Sequence, residues 1–121
     1  MSVAIAETAL ADLAVEYWKL HRAFQRSLTH LDEDRAHRAG AQARFAAGRL
    51  DIVLAGAGLK LARFEGQVLG PELPMETINA DELTAVVAPV VVETIEPAVL
   101  AGDRVVRMGR VLGGAGDVSR N

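Results

Sequence analysis

The stretch E-P-A-V-L-A-G-D-R-V-V-R-M-G-R-V, from Glu96 to Val111, decides the fold of this chain, together with a shorter partner upstream, L-G-P-E-L at Leu69 to Leu73. Ala101-Gly102-Asp103 reads as a turn that feeds an extended, arginine-bearing run. Gly70-Pro71 reads as a second turn, because proline fixes φ and steers the residue before it away from the helical region. Between them Val86 to Ile95 is rich in β-branched residues and reads as a strand. The two segments and the strand between them predict one small β module. Within it, Arg104 to Leu112 reads as a single strand, with Val105, Arg107, Gly109 and Val111 on one face and Arg104, Val106, Met108, Arg110 and Leu112 on the other.

Upstream of that module the pattern is helical. Leu10, Tyr17, Phe24 and Leu31 recur every seven residues with Leu13 and Leu20 between them, so all six fall on one stripe of a helix. Glu7 and Asp12 stand toward its start and Arg22 and Arg26 further on, a polarity that suits the helix dipole. A helix from Ala6 to Leu31 would be ~39 Å long, far more than it needs to cover the small β module. The stripe is therefore read either as an intermolecular helix pair or as an amphipathic face packed within its own domain. The polar run D-E-D-R-A-H-R and the glycines at 40 and 48 predict a bend or break between Asp32 and Gly48. A second helix is expected to follow, with Leu50, Val53, Leu54, Leu61 and Phe64 as its apolar face and an end near Gly66. The fold class is α+β: a long coiled-coil-like helix and a second helix over residues 1–65, a β wing over 66–113, and a loose tail over 114–121.

Composition narrows the function classes. The chain has 121 residues, half of them apolar but only 4% aromatic, which favours helix packing and thin sheets over a deep cofactor pocket. A net charge of −3 supplies no general field for a phosphate backbone, so nucleic-acid binding is not expected. There is no cysteine, which removes disulfides, thiolate metal sites and cysteine catalysis and is compatible with a reducing cytoplasm. The apolar run Ala85 to Val92 is too short to span a bilayer, so a soluble cytoplasmic protein is expected.

Candidate chemical sites are weak. His21, His30 and His37 lie too far apart on the helical half to share a metal, and no metal or cofactor is expected. A-G-A-G at Ala55 to Gly58 follows no strand and is not read as a phosphate loop. Glu93, Glu96 and Asp103 read as solvated strand charges. No nucleophile, base and orienting group can be assembled, so the chain is not expected to be an enzyme.

The two quoted segments resemble the C-terminal domain of the GrpE family, nucleotide exchange factors of DnaK-type heat-shock chaperones. Leu69, Pro71 and Leu73 match the first half of that family's motif, and Gly102, Asp103, Arg104, Val106, Arg107 and Val111 the second. The departures are Pro74 where the family has His, Glu76 where it has Ala, Ala98-Val99 where it has Gly-aromatic, and Gly109 where it has Ala. The resemblance implies a divergent, shortened relative, a homodimer paired through Leu10, Leu13, Tyr17, Leu20, Phe24 and Leu31. It also implies a β wing that contacts the chaperone through Leu69, Pro71, Ile95 and Arg104, with Arg107 either contacting or structural. Taken without the resemblance, single arginines on this strand read as solvated edge charges that suppress aggregation. The implied function is adenine-nucleotide exchange in protein folding and the stress response. The alternative is a scaffold of the same fold that has lost exchange and serves a specialised actin-like ATPase.

Overall fold

In the computed structural model residues 3–116 are described, so the expected tail lies outside them from residue 117 onward. The described residues hold two α-helices, two short 3-10 turns and six β-strands, an α+β arrangement in the expected order. The chain divides into two compact units, residues 1–60 and 61–121.

Unit 1 is a helical hairpin. Helix α1 runs Val3–Ser27 and helix α2 runs Glu33–Gly56, joined by a 3-10 turn at Leu28–His30. The break falls at the near edge of the expected interval because Asp32 is an N-cap. Its backbone is extended, and its carboxylate accepts the Arg35 N–H at 2.9 Å. The polar run D-E-D-R thus opens α2, with Glu33 and Asp34 in the first turn where the dipole favours acids.

Gly40 does not break the helix. It is buried, and a Cβ there would stand 3.3 Å from Leu28 Cδ1, so the glycine lets the turn pack closely against α2.

The second helix ends ten residues earlier than expected, at Gly56. Gly58 takes φ +76° and its N–H donates to the Ala55 carbonyl at 3.0 Å, while the Leu59 N–H donates to the Leu54 carbonyl at 2.8 Å. This is a Schellman cap, completed by the burial of both Leu54 and Leu59. The A-G-A-G run is therefore a helix terminus. Leu61 falls in a strand and Phe64 packs against the core of unit 2.

Unit 2 contains two three-stranded sheets. Strands β1 (Lys60–Ala62), β4 (Ala98–Ala101) and β5 (Arg104–Arg107) form one, in the order β1-β4-β5. Strands β2 (Met75–Thr77), β3 (Val90–Glu96) and β6 (Gly109–Gly114) form the other, in the order β2-β6-β3.

The chain crosses from one sheet to the other at two corners, Pro97 between β3 and β4 and Met108 between β5 and β6. Proline cannot donate to a ladder, so the first corner is fixed by sequence. The expected single strand Arg104 to Leu112 is accordingly split at Met108, and its two halves lie in different sheets. The hairpin β4–β5 turns through Gly102-Asp103 with Gly102 at φ +61°, as a type II′ turn requires of its first residue. The Gly70-Pro71 turn closes with the Leu73 N–H donating to the Gly70 carbonyl at 3.1 Å.

The expected loose tail begins too early. Gly113 and Gly114 are part of β6, paired with Val91 and Val90. A Cβ on Gly113 would meet Leu69 Cδ1 and Leu83 Cδ1 at 2.6 Å, so this position is a glycine for packing and not for looseness. No helix among the described residues is long and apolar enough to cross a membrane.

Candidate functional site

The two halves of the opening motif meet inside unit 2. Leu69 and Leu73 pack against a core of Met75, Val91, Ala98 and Val111. The Gly109 N–H donates to the Pro74 carbonyl at 2.9 Å, and β2 lies parallel to β6 with Met75 opposite Gly109. Segments some thirty residues apart in sequence are thereby joined edge to edge.

The expected contact residues do not form one tight cluster. Leu69 is half-buried at the Val90 end of sheet β2-β6-β3, its N–H donating to the Pro89 carbonyl at 2.8 Å. Ile95 is half-buried at the opposite end of β3, beside the Thr94–Val111 and Glu96–Arg110 pairs. Five residues of strand separate that end from Val90, roughly 17 Å at the rise of an extended chain. Pro71 and Arg104 are exposed, Pro71 on its turn and Arg104 at the start of edge strand β5.

Arg107 is held differently. Its guanidinium Nη2 donates to Glu96 Oε1 at 3.0 Å, and Glu96 is only 5% exposed. The expectation that Glu96 is a solvated strand charge is corrected by this burial. The pair ties the last residue of β3 to the last residue of β5, one beside each corner, so Arg107 has a structural role in the unit.

Two polar residues of consequence were not singled out by sequence reasoning. Asn79 mimics a strand partner for β6: its Nδ2 donates to the Gly113 carbonyl at 3.0 Å and its Oδ1 accepts the Gly113 N–H at 2.9 Å. The buried Thr94 hydroxyl donates to the Glu65 carboxylate. An isolated Asn two residues after a short strand is the signal that could have marked the first, since its side-chain amide presents the same donor and acceptor as a peptide.

In unit 1 the expected dimer stripe is exposed. Leu13, Leu20, Phe24 and Leu31 are exposed while Leu10 and Tyr17 are half-buried. The fully buried positions of α1 are Ala11, Ala14 and Val15, on a different face. Tyr17, Leu20 and Phe24 line an open groove with Ala39, Ala43 and Phe45 of α2.

The three histidines do not converge. His21 stacks on Tyr17 with ring centroids 6.3 Å apart, while His30 and His37 are exposed. Among the described residues no three His, Asp or Glu side chains are grouped to hold a metal ion.

No family model, curated protein or solved structure matches this chain.

Proposed function

We propose that this protein is a GrpE-like cochaperone of the cytoplasm, a homodimer that binds the nucleotide-binding domain of a DnaK-type chaperone and promotes release of its adenine nucleotide. The observation that supports this reading above others is the union of the two motif halves in one β unit, through the Gly109–Pro74 hydrogen bond and the packing of Leu69 and Leu73 on the strand that bears Val111. Helices first and a small β unit after them is the order such a protein needs.

The mechanism is a population shift. A wing that binds the opened nucleotide-binding domain tenfold better than the closed one moves that equilibrium by about 1.4 kcal/mol, and ADP is lost from the opened form. Nothing in this protein needs to react. Pro71 and Arg104 supply the exposed contacts, an apolar ring and a planar donor fork suited to a carboxylate, with Leu69 and Ile95 contributing their uncovered edges. Arg107 holds Glu96 and so keeps β5 in place.

The test is the rate at which a DnaK-type chaperone releases fluorescent ADP, with and without the purified protein. Acceleration that Arg104→Ala weakens is the expected result, and an unchanged rate overturns exchange. Binding retained without acceleration selects the scaffold reading, in which the partner is a specialised actin-like ATPase.

A further inference from the structure

We infer that one outward stripe of helix α2 is a docking surface for an acidic amphipathic helix of another protein. This surface lies outside the cochaperone reading given above and does not depend on it.

Helix α2 keeps its small residues inside and sets large ones outside. Ala36, Gly40, Ala43 and Ala47, spaced by four, three and four, take buried or half-buried positions. Arg35, Arg38, Gln42, Phe45, Arg49 and Ile52 also follow spacings of three and four, so they form one straight stripe, and all six are exposed. Phe45 is 68% and Ile52 69% exposed, so the hairpin covers neither.

The cations stand on the stripe itself, among its apolar side chains. Arg35 and Arg38 line one open depression together with Leu31 and Phe45. The Arg49 guanidinium lies over the Phe45 ring, 5.8 Å from its centroid. Between Asp34 and Asp51 the helix carries four arginines and no acid. The Arg35–Asp32 pair at 3.4 Å is exposed on both sides, so Arg35 changes partner at little cost.

Charge and length select the occupant. A second copy of the stripe is unsuitable: laid parallel, each arginine meets itself, and laid antiparallel about the centre of the stripe, Arg38 meets Arg49. A bilayer takes up a helix whose apolar and cationic residues lie on separate faces, whereas here they alternate along one line. A long polyanion such as nucleic acid would run past Asp32, Glu33 and Asp34 at one end and Asp51 at the other, which repel it. A short acidic helix fits between those ends, since the stripe from Arg35 to Ile52 is ~26 Å long. Arg38 and Arg49 are about three turns apart, and carboxylates at the same separation on a partner helix meet both guanidinium forks. Leucine or isoleucine between those carboxylates covers Phe45 and Ile52.

The probe is a fluorescein-labelled helical peptide of about three heptads, with Leu at a and d and Glu at e and g, titrated with the full-length protein beside the same peptide carrying Lys for Glu. The Glu peptide should bind about tenfold tighter than the Lys peptide, and a protein with both Arg38→Glu and Arg49→Glu should reverse that preference, its helices checked by circular dichroism. Equal affinity for the two peptides, or binding of neither, overturns the inference. On the unmodified protein, Glu peptide at ten times its dissociation constant should slow amide exchange over residues 35–52 by about tenfold and leave β3 and β6 unchanged. Protection confined to other segments overturns it without recourse to any variant. Phosphatidylglycerol vesicles or a single-stranded oligonucleotide bound in preference to the Glu peptide would also overturn it. The ADP-release assay reads the wing separately, so either reading can fail while the other stands.

Discussion

Gly109→Ala should destabilise unit 2, although alanine is the residue the resembled motif carries at this place. Gly109 is the first residue after the Met108 corner, where β6 backs onto the start of β4. A Cβ built there falls 2.8 Å from the Ala98 nitrogen and 2.8 Å from the Glu96 carbonyl oxygen, with Met75 Sδ at 2.5 Å. The methionine can swing aside, but the other two atoms belong to main chain on either side of the buried Pro97. Overpacking a tight core costs about 1–3 kcal/mol, and rigid main-chain neighbours put this case in the upper half. Replacing glycine in a strand returns roughly 0.5–1 kcal/mol of backbone entropy, so the net loss is about 2 kcal/mol.

Amide exchange read by mass spectrometry on peptides covering β3 and β6 measures that loss locally, as exchange faster by roughly 30-fold. If unit 2 melts alone, the same loss lowers its midpoint by about 8–16 °C. The control is Gly48→Ala in α2, where a Cβ meets nothing within 4 Å, so the identical substitution should stabilise by about 0.5–1 kcal/mol. A Gly109→Ala protein with unchanged exchange in β6 would refute the reasoning. So would full rescue by adding Met75→Ala, because that change relieves the sulfur contact and leaves both main-chain contacts in place.

Three further substitutions probe the supports of the two units. Arg107→Ala takes the guanidinium from a Glu96 carboxylate that is 5% exposed, and denaturant unfolding should show a loss of about 1.5–3 kcal/mol, the range for a hydrogen bond to a charged group. Asn79→Ala leaves both the N–H and the carbonyl of Gly113 without their partner and should cost about 1–3 kcal/mol, seen as faster amide exchange at Gly113 with α1 unaffected. Asp32→Ala removes the N-cap of α2 and should cost about 1 kcal/mol, followed through the fluorescence of Trp18, the single tryptophan, which lies in α1 of the same unit.

The order of elements was legible because each leaves a periodic or turn-forming trace: the heptad stripe of α1, the Gly-Asp turn at 102, the Gly-Pro turn at 70. The ends of elements were not, and the reasons are local. The stop of α2 is written in Gly58 and Leu59, which read as a cap only once Leu54 is known to face the same way. The corner at Met108 has no proline or glycine of its own, and the extended pattern runs through it unbroken from Arg104 to Leu112. The face of α1 that is buried is made of Ala11, Ala14 and Val15, small residues that a search for large apolar side chains passes over. The stripe it found instead is exposed at Leu13, Leu20, Phe24 and Leu31 and only half-buried at Leu10 and Tyr17, so it does not make the core of unit 1.

Each departure from the resembled motif has a local structural reason in unit 2. Position 74 contributes only a carbonyl, to the Gly109 N–H, so a residue without an N–H serves there. Glu76 is exposed on edge strand β2 with Arg110 at 4.0 Å, a surface pair of small energetic weight that places a charge on an open sheet edge. Ala98 and Val99 are fully buried at the start of β4, immediately after the first corner, so a larger ring at either would overpack the interior. Gly109 is what allows β6 to approach Ala98 at all. Two of these four sites, Ala98-Val99 and Gly109, adjoin the two corners, a third, Pro74, is hydrogen-bonded to Gly109, and the Glu96–Arg107 pair spans the same place. The changes are thus one coordinated solution to packing two short sheets around two bends. They serve main-chain approach and leave Pro71 and Arg104, the contacts proposed above, exposed.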